Sequence, residues 1–234
     1  MALINPKYSN LPKKSNIQGF WRLEETSGTR YDLSTNKNNL TDNNTVGYAI
    51  GKIGNAADFE LSNSEYLSIT DANQTGLDIT GEITIACWIK PESVGTQNSV
   101  VNKWDYSNNN RAYKLFIDSS GNKVFGELSS NGLNYTYAAS ADNVISAGTW
   151  AHISFTLNQT TDKIQVYVNG SASGSAVSFT ENIYNSNAPF IIGCQLNKGT
   201  PTRFFDGLID EVIIWNTCLT ADEVAEVYGI TKYI

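Results

Sequence analysis

The run Phe205-Asp206-Gly207-Leu208-Ile209-Asp210-Glu211-Val212-Ile213-Ile214-Trp215 constrains the fold more than any other stretch of the chain. Read at the two-residue period of a strand, Leu208, Val212 and Ile214 fall on one face and Ile209, Ile213 and Trp215 on the other, so both faces are covered. The run predicts an interior strand. Two adjacent carboxylates, Asp210 and Glu211, sit inside it on opposite faces. A buried charge is costly unless it is paired, hydrogen-bonded or holding a metal, so whatever satisfies these two bears on the fold.

The rest of the chain supplies company for such a strand. Charged residues make up only 17% of the 234 positions, while Asn, Ser, Thr and Gly abound between aromatic and β-branched residues. That is the make-up of many short strands joined by polar turns, and with no internal repeat it predicts one large β-sandwich. A net charge of −7 excludes nucleic acid as a partner, because neutralising phosphates needs clustered Lys and Arg. Neutral glycans, basic proteins and divalent cations remain. No apolar run is long enough for a signal peptide or a membrane span, so the sequence as written predicts neither a secretory precursor nor membrane insertion. Of the three cysteines, Cys87 alternates with Ile83, Ile85 and Ile89, and Cys194 follows Phe190-Ile191-Ile192-Gly193; both read as buried small hydrophobes, not as a disulfide framework.

Residues 1–16 hold two prolines, three lysines and few apolar residues, and predict an extended arm with no core of its own, held by the sandwich or by a neighbouring subunit. The globular part, residues 17–234, opens with a strand at Ile17–Leu23. Glu82–Lys90 alternates cleanly and Pro91 ends it. In Trp150–Leu157, Ala151, Ile153, Phe155 and Leu157 line one face, leaving His152 as a packed mid-strand imidazole. Asp162–Gly170 closes a hairpin on Asn169-Gly170, a pair suited to positive φ. One helix is predicted over Ala221–Tyr228, with Thr220 and Glu223 as a capping box and Gly229 as its stop.

Laid out in order, several segments resemble the laminin-G-like domains of the concanavalin-A-like lectin/glucanase superfamily. They are Trp21-Arg22-Leu23-Glu24-Glu25-Thr26-Ser27-Gly28 with Asp32, Gly54–Phe59, Ile83–Pro91, Trp150–Ile153, Val166–Gly170 and Phe205–Val212. The resemblance implies an all-β fold, a two-sheet antiparallel jelly-roll sandwich with one short C-terminal helix, which strand count and turn spacing also favour. It further implies a structural calcium ion (Ca2+) held by Glu25, Asp32 and Asp210, with the Asp32–Asn39 loop able to add oxygens. The competing reading has Asp210 and Glu25 accepting backbone hydrogen bonds or pairing with Arg22 or Arg30. Glu211 reads as a structural acceptor. The superfamily includes glycosidases, but a Glu-x-Asp-x-x-Glu run, which would aim an acid and a nucleophile into one cleft, is missing. Asp210 and Glu211, on opposite faces, cannot replace it. The chain therefore reads as non-catalytic.

Aromatics in polar loops are the binding candidates: Trp104 and Tyr106 beside Asn108, Asn109 and Asn110, and Tyr135 and Tyr137 near Asn131 and Asn134. Rings stack on the apolar faces of sugars while amides hold hydroxyls, so Trp104, Tyr106, Asn109, Tyr135 and Tyr137 form the expected glycan site. The alternative for Tyr135 and Tyr137 is that they only cover a strand face. The expected function is a surface recognition or cell-adhesion module for carbohydrate, acting outside cells. The alternative is a structural protein of a virion surface, a phage decoration, fibre or tail component, meeting other assembly subunits through the N-terminal arm.

Overall fold

Two nine-stranded sheets, antiparallel but for one bridge, face each other in a computed structural model that describes residues 6–232. Across the first sheet run β13 (Ser171–Ala172), β12 (Lys163–Val168), β11 (Ala151–Asn158), β6 (Ile83–Pro91), β18 (Gly207–Trp215), β4 (Asn55–Phe59) and β3 (Gly47–Ile50). Also in it, β1 (Ile17–Trp21) pairs with β18 and β14 (Val177–Ser178) with β12. Across the second run β10 (Thr136–Ala139), β9 (Lys123–Leu128), β8 (Asn110–Asp118), β7 (Asn98–Asp105), β15 (Phe190–Ile192), β5 (Tyr66–Ile69) and β2 (Thr41–Asn43). The hairpin of β16 (Gln195–Asn197) and β17 (Thr200–Thr202) joins this sheet alongside β7.

The expected interior strand is β18. It pairs with β6 along one edge and with β4 and then β1 along the other. Simple alternation fails inside it, however. The register with β6 shifts between Asp210 and Ile213, where Glu211 takes a φ of 51°. This bulge moves one residue out of step, so Ile209 joins Val212 and Ile214 in the main core, while Ile213 and Trp215 face the layer outside the sheet. Between the sheets, Ile83, Ile85, Cys87 and Ile89 of β6 meet Ile153, Phe155 and Leu157 of β11, and Trp21 stacks on Phe190 at 4.9 Å. Each such side chain, taken fully out of water, contributes about 1.5–3 kcal/mol. The β12 hairpin turns as expected, with Asn169 at φ 51° and Gly170 at φ 78°.

The outer face of the first sheet is covered twice. Helix α1 (Ala221–Lys232) carries the expected capping box, Glu223 N to Thr220 Oγ1 at 3.2 Å and Thr220 N to Glu223 Oε2 at 2.8 Å. It does not stop at Gly229. Trp88 Nε1 donates to Thr231 Oγ1 at 2.8 Å, and this tertiary anchor carries the helix a turn further. Of the arm expected over 1–16, residues 1–5 lie outside the described residues. The remainder is not extended: it forms 3-10 turns at Pro6–Asn10 and Lys14–Asn16, with Tyr8 and Leu11 buried against Phe20, Trp215 and Leu219.

Candidate functional site

Among the described residues no α-helix lies on the outer face of the second sheet. Inward, Tyr113, Leu115, Ile117, Val124 and Leu128 of β8 and β9 feed the core, so their alternates Lys114, Phe116, Phe125 and Glu127 point the other way. Register aligns them across strands: Asn102, Lys114, Glu127 and Tyr137 form one row, and Phe116 faces Phe125 in the next. Lys114 Nζ lies 3.6 Å from Glu127 Oε2 and 3.7 Å from the centre of the Phe116 ring. Burial lowers the Lys114 ammonium to about 8 despite Glu127, and raises the Glu127 carboxyl despite Lys114.

Beside this row, toward the start of β8, Arg111 gathers the predicted aromatics. Its guanidinium lies 4.2 Å from the Tyr106 ring, 5.8 Å from Tyr135 and 5.9 Å from Trp104, and its Nη2 donates to the Tyr106 carbonyl. Trp104 and Tyr135 meet edge to face at 5.8 Å. At the β10 end of the row Tyr137 lies against Phe125 at 5.3 Å, and Phe125 stacks on Phe116 at 5.2 Å. Tyr106, Tyr135 and Tyr137 are 38%, 42% and 49% exposed. Asn109, exposed at φ 51°, holds the loop in place: a Cβ on Gly132 would lie 2.3 Å from the Asn109 carbonyl, so the two loops close only with glycine there. A cavity of about 230 Å³ adjoins Tyr135 and is lined also by Asn131, Asn134 and Glu181.

Of the five predicted residues, Tyr106, Tyr135 and Tyr137 are exposed rings about Arg111 and Phe125, and Asn109 lies in the adjoining loop. Trp104 is not a surface ring. It is 0% exposed, with Tyr135 edge to face at 5.8 Å and the Arg111 and Lys114 cations each 5.9 Å from its ring. Beside it the β16–β17 hairpin is tied onto β7 through Asn102 Nδ2 to Cys194 O, Tyr106 N to Leu196 O and Gly199 N to Asp105 Oδ2. Trp104 Nε1, Asn102 Oδ1 and Gln195 Oε1 are buried there with no hydrogen-bond partner among the described residues.

The three carboxylates expected to share calcium are spent differently. Asp32 is saturated: Oδ1 accepts from Phe20 N and Ser34 N, and Oδ2 from Ser34 Oγ and Asn38 N, at 2.7–2.9 Å. It shapes its own loop. Glu25 Oε1 accepts from Tyr31 N at 2.9 Å, while its Oε2, like Asp210 Oδ1, is buried with no hydrogen-bond partner among the described residues. Neither belongs with Asp210 to any group of three ligand atoms within 4.8 Å of one another; among the described residues the group that meets this is Asp58, Glu60 and Glu92, partly exposed. Asp210 Oδ2 accepts from Ile53 N at 2.9 Å, while Oδ1 is buried without a partner among the described residues, and burial beside Glu211 pushes the carboxyl up to about 8. Across the same turn stands Glu24, whose Oε2 accepts from Asn55 N at 3.0 Å. Gly51 keeps the turn open, since a Cβ there would lie 2.8 Å from Asp210 Oδ2. Glu211 takes Tyr8 Oη at 2.6 Å and Arg22 Nε at 3.3 Å, as befits a structural acceptor.

A laminin-G-like family model of the concanavalin A-like lectin/glucanases superfamily matches residues 61–225, more than half of the chain. The chain belongs to that superfamily. Domain 4 of AbnA, a GH43 extracellular arabinanase from Geobacillus stearothermophilus solved in complex with arabinotriose, superposes with a TM-score of 0.67 at 20% identity, over 91% of this chain and 98% of its own. The binding domain of Paraclostridial Mosquitocidal Protein 1 gives 0.71 at 20% identity, over 92% and 52%. That of Botulinum neurotoxin DC, in complex with rat synaptotagmin II, gives 0.73 at 13% identity, over 94% and 52%. The chain thus spans about half of each toxin domain, and at these identities the likeness shows the fold. No curated protein matches the chain. Among the described residues no helix is long and apolar enough to cross a membrane.

Within this superfamily fold the residues fit a structural cation at Asp210, because a buried carboxylate oxygen without a partner is a free hard ligand. At the same turn Glu24 is engaged on both oxygens, Oε2 by Asn55 N and Oε1 by the Arg22 guanidinium. Sequence reading also missed Arg111, Lys114, Phe125 and Glu127. Alternation in Tyr113–Ile117 puts Lys114 and Phe116 on one face, but only the register with β9 brings Glu127 and Phe125 to them.

Proposed function

We propose that this protein is a non-catalytic carbohydrate-recognition module acting outside cells. The observation that carries the reading is the gathering of three exposed tyrosine rings, Tyr106, Tyr135 and Tyr137, on one sheet face over the Lys114–Glu127 pair. Exposed rings beside fixed polar groups suit the apolar faces and hydroxyls of a sugar. The arabinotriose named with the arabinanase domain supports a glycan for a fold of this kind. A role in assembly through the arm is less well supported, since Tyr8 and Leu11 are already buried on their own sheet. On an array of neutral and acidic glycans the protein binds, and Tyr106→Ala and Tyr135→Ala each weaken binding roughly tenfold at unchanged melting temperature. An array on which no glycan binds, or variants that bind as well as the parent, would defeat the reading or the site.

A structural calcium ion held by Asp210 and Glu24 belongs to the same proposal. It would supply charge neutralisation at the β3–β4 turn and no chemistry at the ring face, which lies on the other sheet.

A further inference from the structure

The geometry points to a covalent cross-link that the folded chain makes for itself: an isopeptide bond from Lys114 Nζ to the side-chain carbonyl carbon of Asn102, with Glu127 carrying the proton. It is independent of the carbohydrate reading. Asn102, Lys114 and Glu127 stand opposite one another in register on β7, β8 and β9. Directly opposed residues project from the same face with Cβ atoms about 4.5–5.5 Å apart, and the long lysine stem can reach either neighbour. All three are buried, at 0%, 2% and 8% exposure. Nζ lies 3.6 Å from Glu127 Oε2 and is walled by rings, 3.7 Å from the centre of Phe116 and 5.9 Å from that of Trp104. Trp104 follows Asn102 by two positions on the same strand.

Amide exchange needs a free amine, an acid and an activated carbonyl. Burial lowers Lys114 to about 8, which leaves about a tenth of it as free amine at pH 7, and it raises Glu127 toward its protonated form. Asn102 Nδ2 donates to Cys194 O at 2.5 Å and to Ser99 Oγ at 3.2 Å, which fixes the amide. Its Oδ1 is left buried with no hydrogen-bond partner among the described residues. An orphaned buried acceptor asks for a donor, and a protonated Glu127 brought onto it would make the amide carbon more electrophilic. Nζ attacks that carbon, the Nζ–Cγ bond forms and the Cγ–Nδ2 bond breaks. Glu127 takes a proton from Nζ and returns one to Nδ2, and ammonia leaves. Glu127 ends as it began, and no oxidant or other reactant is consumed.

Mass spectrometry of the intact, folded protein tests this. The wild type should be lighter than its sequence by one ammonia. After trypsin, the peptide that ends at Lys103 should be joined to one that begins at Ala112 and runs on through an uncut Lys114. Lys114→Arg and Glu127→Gln should each restore the full mass. A cyclised Asn131-Gly132 or Asn169-Gly170 would also lose one ammonia, but that loss persists in Lys114→Arg and reverses in mild alkali, whereas the isopeptide bond survives it. A wild type at full mass after long incubation at neutral pH overturns the cross-link, whatever the folding of the variants. So does an ammonia loss that Lys114→Arg retains. A loss that Glu127→Gln retains in full overturns the role given to Glu127.

Discussion

Trp104 and Tyr106 stand two positions apart and serve the same end of the site in opposite ways. The indole is wholly buried and gives Arg111, Lys114 and Tyr135 something to pack on; the phenol is half in water and free to meet a ligand. Both are aromatic residues of one polar neighbourhood, so composition could not separate them. The separation comes from packing across strands: Tyr135, Arg111 and Lys114 gather on the indole, while the Tyr106 ring stays 38% exposed. His152 was more legible. A lone histidine alternating with an apolar strand face is expected to be packed, and it lies 5.3 Å from Trp88 and 5.8 Å from Tyr228 with Nδ1 unpartnered. Burial holds its imidazole down to about 3 against an ordinary 6.5, so between those values the unfolded chain takes up a proton that the folded chain refuses. The associated stability is whole above about 6.5 and is lost as pH falls through the window. Wild type and His152→Phe should therefore diverge in melting temperature on acidification from neutrality, the variant losing less. Parallel curves would show that the imidazole is not held neutral.

At the scale of elements, the bulge in β18 decides more than the strand's alternation. The apolar run marked it as central, and it is; the pairing of faces within it was wrong because one residue at positive φ resets the period. No local signal marks Glu211 for that conformation, which costs an ordinary residue about 1–3 kcal/mol. What repays it is long-range: Glu211 reaches Tyr8 and Arg22, and Asp210 reaches the Gly51–Asn55 turn. A cation on Asp210 and Glu24 would bind the folded state alone, stabilising it on the order of 3 kcal/mol at a hundredfold excess over its dissociation constant. Chelator should then lower the wild-type melting temperature. Asp210→Asn and Glu24→Gln should melt lower in calcium and hardly respond to chelator. Asp32→Asn should also melt lower, from losing two of the hydrogen bonds that shape its loop, yet keep the full response. A wild-type curve that chelator leaves in place would mean that the buried carboxyl carries a proton instead.

For the whole molecule, the division of labour between the two outer faces is the organising fact. The first sheet is closed by α1 and by residues 6–16; the second keeps its outer face for the tyrosine stripe. The sandwich and its capped helix were legible because alternation, turn residues and the capping box are local. The cover was not, because few apolar residues in 1–16 announce it, and two of them suffice. Tyr8 and Leu11 fill the layer beside Phe20 and Trp215, Lys13 Nζ donates to Cys218 O at 2.7 Å, and Trp215 Nε1 donates to Pro12 O at 3.1 Å. A chain beginning at Lys14 loses these and leaves Glu211 without the Tyr8 hydroxyl. Burial of the two side chains alone is worth roughly 3 kcal/mol or more, so the truncated protein should melt roughly 6–12 °C lower. The apolar layer it uncovers should promote self-association, visible as a rise in light-scattering mass with concentration. Its glycan affinity should stay at the wild-type level, since every ring of the stripe stands on the opposite sheet. A truncated chain that melts with the wild type would show that residues 1–13 are not a structural cover. One that stays folded but loses the glycan would show that the two outer faces are coupled.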